Sequence, residues 1–197
     1  GPRLAYPDGS LQHSCFPFPT PLDTFLHLTH QGPLLAHLFG LRETYLRTWS
    51  HNRARVVPWV LGAALALRRE AFEEVGGFDE SFFMYSEEVA LCYVLQKAGW
   101  QTHFAPVTAV THVRGASTSK QRVEMEIWKT RSTWHFYRRH YPARRIWQLK
   151  LVLAPALLLK IARDSLRRGS DPRHRAEQLR IWCRLLADLW AQPRANG

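Results

Sequence analysis

WVLGAALALRREAFEEVGGFDESFFMYSEEVALC, residues 59–92, carries the change of pattern that decides the fold class. Trp59–Leu67 is a short apolar run containing Gly62, which predicts a buried strand with close backbone approach at the glycine. Arg68–Val75 reads as a short helix stopped by Gly76-Gly77. Asp79 is suited to cap a turn over Glu80–Phe83, and Ser86 to serve as the N-cap of a second helix, Glu87–Ala98. In that helix Val89, Leu91, Cys92, Val94, Leu95 and Ala98 form a broad apolar face, and Gly99 ends it.

Downstream, Thr102–Ala105 and Ala109–His112 read as strands separated by Pro106, and Ser117–Tyr137 as a long helix closed by Tyr141-Pro142. Upstream, residues 3–16 read as two short strands around the turn Pro7-Asp8-Gly9-Ser10. Pro17, Pro19 and Pro21 make an irregular loop. Residues 22–39 have helical spacing in Leu22, Phe25, Leu26, Leu28, Leu35, Leu38 and Phe39. Residues 40–55, with Arg42, Arg47, Arg53 and Arg55, read as a polar loop near a site or on the surface. No internal repeat is present.

The net charge is +11 over 197 residues and is unevenly spread. Arg144–Arg184 holds eleven Lys/Arg against Asp164, Asp171 and Glu177, a local excess of +8. Such a basic tail suits an anionic membrane, nucleic acid or a phosphate-bearing substrate. Nucleic acid is set aside, because no basic-aromatic recognition module accompanies the charge. The apolar run Leu151–Leu159 is interrupted by Pro155 and too short to span a bilayer. It suits a helix lying in the interface with Trp147 at headgroup depth, or equally a core-packed helix with a solvated basic face. Residues 174–190 add an amphipathic helix with Leu179, Trp182, Leu185, Leu186 and Leu189. Cys15, Cys92 and Cys183 match neither a disulfide framework nor a zinc site, and read as reduced thiols of a cytosolic protein. The chain opens on Gly1 without a signal peptide and reads as a segment of a longer protein.

Residues 59–92 resemble the second half of a family 2 glycosyltransferase, of the rhamnosyltransferase-like kind that builds bacterial cell-surface polysaccharide. The same resemblance extends to PDGSLQ (7–12), AGW (98–100), Ala105-Pro106, THVRGAST (111–118) and RSTWHFYRRHYP (131–142). It implies a GT-A fold, a doubly wound mixed sheet that binds a nucleotide sugar at the carboxyl ends of its strands. Residues 1–142 would be the C-terminal, acceptor-side half of that domain, and 143–197 a basic helical tail. The nucleotide pocket and an Asp-x-Asp motif for divalent Mg or Mn would lie in the other half; this chain has no Asp-x-Asp and no Gly-x-Gly phosphate cradle.

Inverting transfer requires a base that takes the acceptor hydroxyl proton as its oxygen attacks the anomeric carbon. The resemblance maps that base to Glu88, with Glu87 orienting or contacting the acceptor. The same two carboxylates would also suit the first turn of any ordinary helix. Trp59, Gly62 and Ala63 would line the acceptor side, Asp79 would cap first and bind second, and Tyr85 with Phe82 and Phe83 would offer aromatic faces to a sugar or to the core. His112 would hold a metal or the diphosphate, or else be a hydrogen-bonded structural histidine; Gly115 and Ser117 would touch the donor diphosphate. Ala90 and Val94 depart from the pattern, which has an acidic residue and an arginine there. The implied partners are a nucleotide-sugar donor, a glycan or lipid-linked acceptor and an anionic membrane surface, at the cytoplasmic face of the membrane. The rival expectation is a non-catalytic membrane- or partner-binding remnant of such an enzyme.

Overall fold

In chain order the elements are β1 (Arg3–Ala5), β2 (Leu11–Gln12), β3 (Cys15–Phe16), α1 (Pro21–Thr29), α2 (Gly32–Leu38), β4 (Arg55–Val57), β5 (Trp59–Val60), α3 (Arg69–Glu74), α4 (Glu87–Lys97), β6 (Thr102–Phe104), β7 (Ala109–Thr111), α5 (Arg122–His140), α6 (Ala143–Leu166) and α7 (Pro172–Trp190). The structure is a computed structural model that describes residues 1–29, 32–40, 46, 48–113, 122–166 and 172–190. It divides into two compact units: Gly1–Pro19 with His30–Ser117, and Thr20–Thr29 with Thr118–Gly197.

The first unit is mixed α/β. β1 pairs antiparallel with β2 and parallel with β7, β3 antiparallel with β5, and β4 antiparallel with β6. The β1–β2 turn is closed by Asp8, whose carboxylate accepts the Ser10 amide at 2.9 Å and its hydroxyl at 2.6 Å. Cys15, Trp49, Val57, Val60 and Phe104 make one core cluster. Ala71, Leu91 and Leu95 make another, packed against Phe72, Val75 and Trp100.

Four expectations change here. The extended run from Trp59 stops at Val60, and the chain turns over Gly62–Ala64 instead of continuing to Leu67. Ser86 is not a side-chain N-cap: it lies in the left-handed region (φ 68°, ψ 0°) and makes no side-chain capping bond. Ala98 is exposed, while Ala90 is buried in the core face of α4. The polar stretch before β4 is not all surface, since Trp49 and His51 are both fully buried.

His51 explains why a histidine can sit there. Its Nδ1 lies 2.8 Å from the Trp49 carbonyl, which requires the proton on Nδ1. Nε2 is then an acceptor for the amides of Ser14 and Cys15, both at 3.2 Å. The ring also stacks on Trp49, with centroids 4.6 Å apart. Every polar atom of the ring is thereby satisfied, which burial demands.

The second unit is helical. Its core is a stripe from each long helix: Trp134 and Tyr137 of α5, Leu149, Leu153 and Leu157 of α6, and Ile181, Leu185 and Leu189 of α7. The four-residue spacing on α6 and α7 keeps each stripe on one face. Residues 22–39 form two helices, and α1 belongs to this unit. Pro21 opens α1, where its missing N–H costs nothing, and the Thr20 hydroxyl accepts the Asp23 amide at 3.0 Å. Across the bundle Arg131 grips Asp188, with Nε at 2.9 Å and Nη2 at 3.4 Å.

Candidate active site

Asp79 shapes the approach to α4. Its carboxylate accepts the Ser81 amide at 3.0 Å and the Ser81 hydroxyl at 2.5 Å, and its carbonyl accepts the Phe82 amide at 3.2 Å. It therefore caps the turn that the sequence assigns to it. Phe82 goes into the core and Phe83 out to solvent, so the aromatic trio does not form a single wall. Tyr85 and Ser86 then both take left-handed backbone, with φ of 66° and 68°. Two such residues in succession cost on the order of 1–3 kcal/mol each, and such strain concentrates at functional sites.

That strained step delivers Glu87 and Glu88 as the first two residues of α4. Both side chains are half-buried, and Oε2 of each is fully buried without a hydrogen-bond partner. The Glu88 carboxylate accepts backbone N–H groups of Glu88, Gly62 and Val89. Burial, and secondly the charge of Glu87, push its pKa above the ordinary 4.5, against the pull of those amides. A carboxylate shifted upward is a stronger proton acceptor nearer neutral pH, which general-base chemistry requires.

Gly62 contributes more than an approach path. A Cβ built there would sit 3.4 Å from Glu88 Cβ and 3.7 Å from its Cδ. The bare backbone of Gly62 thus lies against the carboxylate side chain while the residue itself faces solvent. Ala63 is exposed in the same turn. Trp59 leads into it from β5, its ring 4.8 Å from Phe16 and its indole N–H donating to the Pro17 carbonyl at 2.8 Å. β5 and the Gly62 turn therefore lie against the start of α4 beside Glu88.

His112 belongs to a different sheet, just past β7. Its backbone N–H donates to the Ala5 carbonyl at 2.9 Å, and its Nδ1 lies 3.1 Å from Oε1 of the buried Gln12. With the amide oxygen accepting, Nδ1 carries the proton, which in the neutral ring makes Nε2 the acceptor. Among the described residues, no three His, Cys, Asp or Glu stand together as metal ligands would. Gly115 and Ser117 lie outside the described residues. Two residues escaped the sequence reading: Gln12, which orients His112 and stands at the end of PDGSLQ, and His51, which carries no local signal because its partners are 36 and 37 residues away.

Comparison with known proteins bears on this geometry. The family described as glycosyl transferase family group 2 matches residues 34–161. The chain is 33% identical over 176 residues to an N-acetylglucosaminyl-diphospho-decaprenol L-rhamnosyltransferase of Mycobacterium tuberculosis, covering 86% of this chain and 55% of that protein. It is 27% identical over 106 residues to rhamnosyltransferase WbbL of Escherichia coli K12, covering 54% of this chain and 40% of that protein. A shorter match, 42% over 57 residues, joins it to a pre-mycofactocin glycosyltransferase of M. tuberculosis, covering 28% of this chain and 12% of that protein. The chain thus spans about half the length of the mycobacterial rhamnosyltransferase. No solved structure matches.

Proposed function

The chain belongs to glycosyl transferase family group 2, and from that premise we propose that it is the acceptor-side half of a GT-A domain that transfers a hexose or deoxyhexose, with inversion, to a lipid-linked acceptor. The observation that carries the reading is Glu88: a half-buried carboxylate of raised pKa beside the Gly62 backbone, with Oε2 buried without a hydrogen-bond partner. In the proposed reaction the Glu88 carboxylate takes the acceptor hydroxyl proton while the acceptor oxygen bonds to the anomeric carbon. The bond from that carbon to the nucleoside diphosphate breaks, and the diphosphate leaves with the electron pair. Glu87 raises the basicity of Glu88 and orients the acceptor, which Trp59, Gly62, Ala63 and Tyr85 flank. Asp79 holds the turn that leads to the pair.

Residues 1–142 are the proposed half-domain, and donor binding is assigned mainly to the part of the relatives that this chain does not match. A bound Mg or Mn would steady the leaving diphosphate. The described residues offer one donor toward it, Nε2 of His112, so they do not make a metal site by themselves. Gly115 and Ser117 are proposed diphosphate contacts. The acceptor class rests on the relative whose name specifies a diphospho-decaprenol.

The test is a transfer assay with the whole protein, nucleotide hexoses and deoxyhexoses, and N-acetylglucosamine on a polyprenyl diphosphate. Transfer with the product's anomeric configuration opposite to the donor's is expected by nuclear magnetic resonance. Retained configuration refutes the single displacement, and no transfer from any donor returns the chain to the non-catalytic alternative.

A further inference from the structure

Helix α6 is apolar on two opposite faces, and its neighbours account for one. Leu149, Leu153 and Leu157 lie in the core with α5 and α7. On the other side Trp147, Leu151, Leu158, Leu159 and Leu166 are 54–79% exposed, and Pro155 is exposed among them. At 100° per residue these six positions fall within an arc of about 120° and run about 28 Å along the axis. The polar side chains in the arc are Gln148 and, at the two ends of the helix, Arg144 and Ser165. Large apolar faces left open mark an interaction site.

The rim of the stripe is basic. Arg145 and Arg163 fall on one edge, Lys150 on the other, and Arg144 at the N-terminal end. The helix's only carboxylate, Asp164, is buried and engaged, accepting the Trp182 indole N–H at 2.9 Å and Arg163 Nε at 3.0 Å. Lys150 Nζ sits 5.0 Å from the rings of both Trp147 and Trp190, which cluster two indoles and a cation at one end. Beside the stripe an apolar groove of about 740 Å³, shared with α1, exposes Leu22 and Phe25.

We propose that this face of α6 docks flat on an anionic lipid bilayer, with the leucines among the acyl chains, the indoles at headgroup depth and the arginines and Lys150 on lipid phosphates. The charge selects this occupant. A second copy facing the first across a two-fold axis would bring like charges together along both edges, whereas anionic lipid complements all of them. The buried stripe packs the bundle and the exposed one meets lipid, so the helix serves as a core element and a surface anchor at once. No described helix is long and apolar enough to cross a membrane, which leaves docking on the surface. This proposal is independent of the sugar-transfer reading, and its readout is lipid binding alone.

The test is flotation of the whole protein with vesicles of phosphatidylcholine alone or with phosphatidylglycerol added, at low and high salt. Binding is expected only with the anionic lipid and to weaken with salt. The double variant Leu158→Glu/Leu159→Glu changes two exposed side chains; an unchanged circular dichroism spectrum verifies its fold. It should lose at least about tenfold in partitioning, since each exposed leucine contributes transfer energy and each new carboxylate is repelled. Brominated lipid should quench indole fluorescence, and Trp147→Phe should remove part of that quenching. Wild-type protein that stays with the lipid-free fraction overturns the proposal. So does a folded double variant that floats like wild type, or one whose sole change is loss of self-association in sedimentation.

Discussion

Replacing Glu88 with Gln removes one capacity and leaves most of the local geometry. Gln keeps a carbonyl oxygen that can go on accepting the amides of Gly62, Glu88 and Val89. The buried Oε2, unpartnered in the wild type, becomes an uncharged NH₂. Burying a neutral amide costs less than burying a carboxylate. Loss of a general base costs about 10²–10⁴ in rate, or about 3–5 kcal/mol of transition-state stabilisation. Turnover in the transfer assay is therefore expected to fall by that factor. Thermal stability has the opposite sign. The Glu88 pKa is raised in the folded state, so its protonated form is the one that folding favours. That contribution is complete below the ordinary 4.5 and is lost as pH rises through the raised folded value. At neutral pH the native charge is thus a liability, and Glu88→Gln should melt higher than wild type, with the gain shrinking toward zero as pH falls below that window.

On the proposed assignment of the base, the same shift should set the acid limb of the wild-type pH–rate profile, because only the ionised carboxylate accepts a proton. Burial is the larger cause of the shift and the Glu87 charge the second. Glu87→Gln removes only the second, so its acid limb should move to lower pH while neutral-pH turnover stays within about tenfold of wild type. A Glu88→Gln protein that keeps more than about a third of its turnover, against the hundredfold minimum expected, refutes the assignment of the base. An acid limb that Glu87→Gln does not move refutes the electrostatic coupling and leaves burial alone.

Gly62→Ala puts a methyl in ordinary contact with Glu88, its nearest atom 3.4 Å away. The melting temperature should change by no more than about 1–2 °C, and turnover should fall by about tenfold because the methyl intrudes on the acceptor's approach to Glu88; unchanged kinetics would show that the acceptor does not approach over the Gly62 backbone. His51→Ala strands the amides of Ser14 and Cys15 and opens a cavity beside Trp49. Urea unfolding should show a loss of more than about 3 kcal/mol, and a loss below about 1 kcal/mol would mean that water replaces the ring at no cost.

How much of this was legible depends on how far away each residue's partners lie. Helix α4 could be read from its own residues: Val89, Leu91, Cys92 and Leu95 turn inward at helical spacing, and Gly99 with φ 95° ends it. The Gly76-Gly77 stop is equally local, both residues taking φ of 79°. The strand at Trp59 could not be read in this way, because a strand's length is set by its partner. β3 runs antiparallel to β5, so Leu61 meets Ser14: the Leu61 amide donates to the Ser14 carbonyl at 2.8 Å, but the Ser14 amide is taken by His51 Nε2 instead of the ladder, which ends there and releases the chain into the Gly62 turn. The missing strand is what shapes the candidate site: had Trp59–Leu67 stayed extended, as its composition invites, no turn would bring the Gly62 backbone against Glu88. Ser86 misled for a related reason. Its residue type favours a cap, but Asp79 already holds the preceding turn, and the chain enters α4 through two left-handed residues that no propensity favours. On α6, composition showed an apolar helix with basic flanks and could not say which apolar residues the bundle would cover. Heptad-like spacing assigns Leu149, Leu153 and Leu157 to one face and Leu151 and Leu158 to the opposite one, and only the placement of α5 and α7 decides which face is left for a partner.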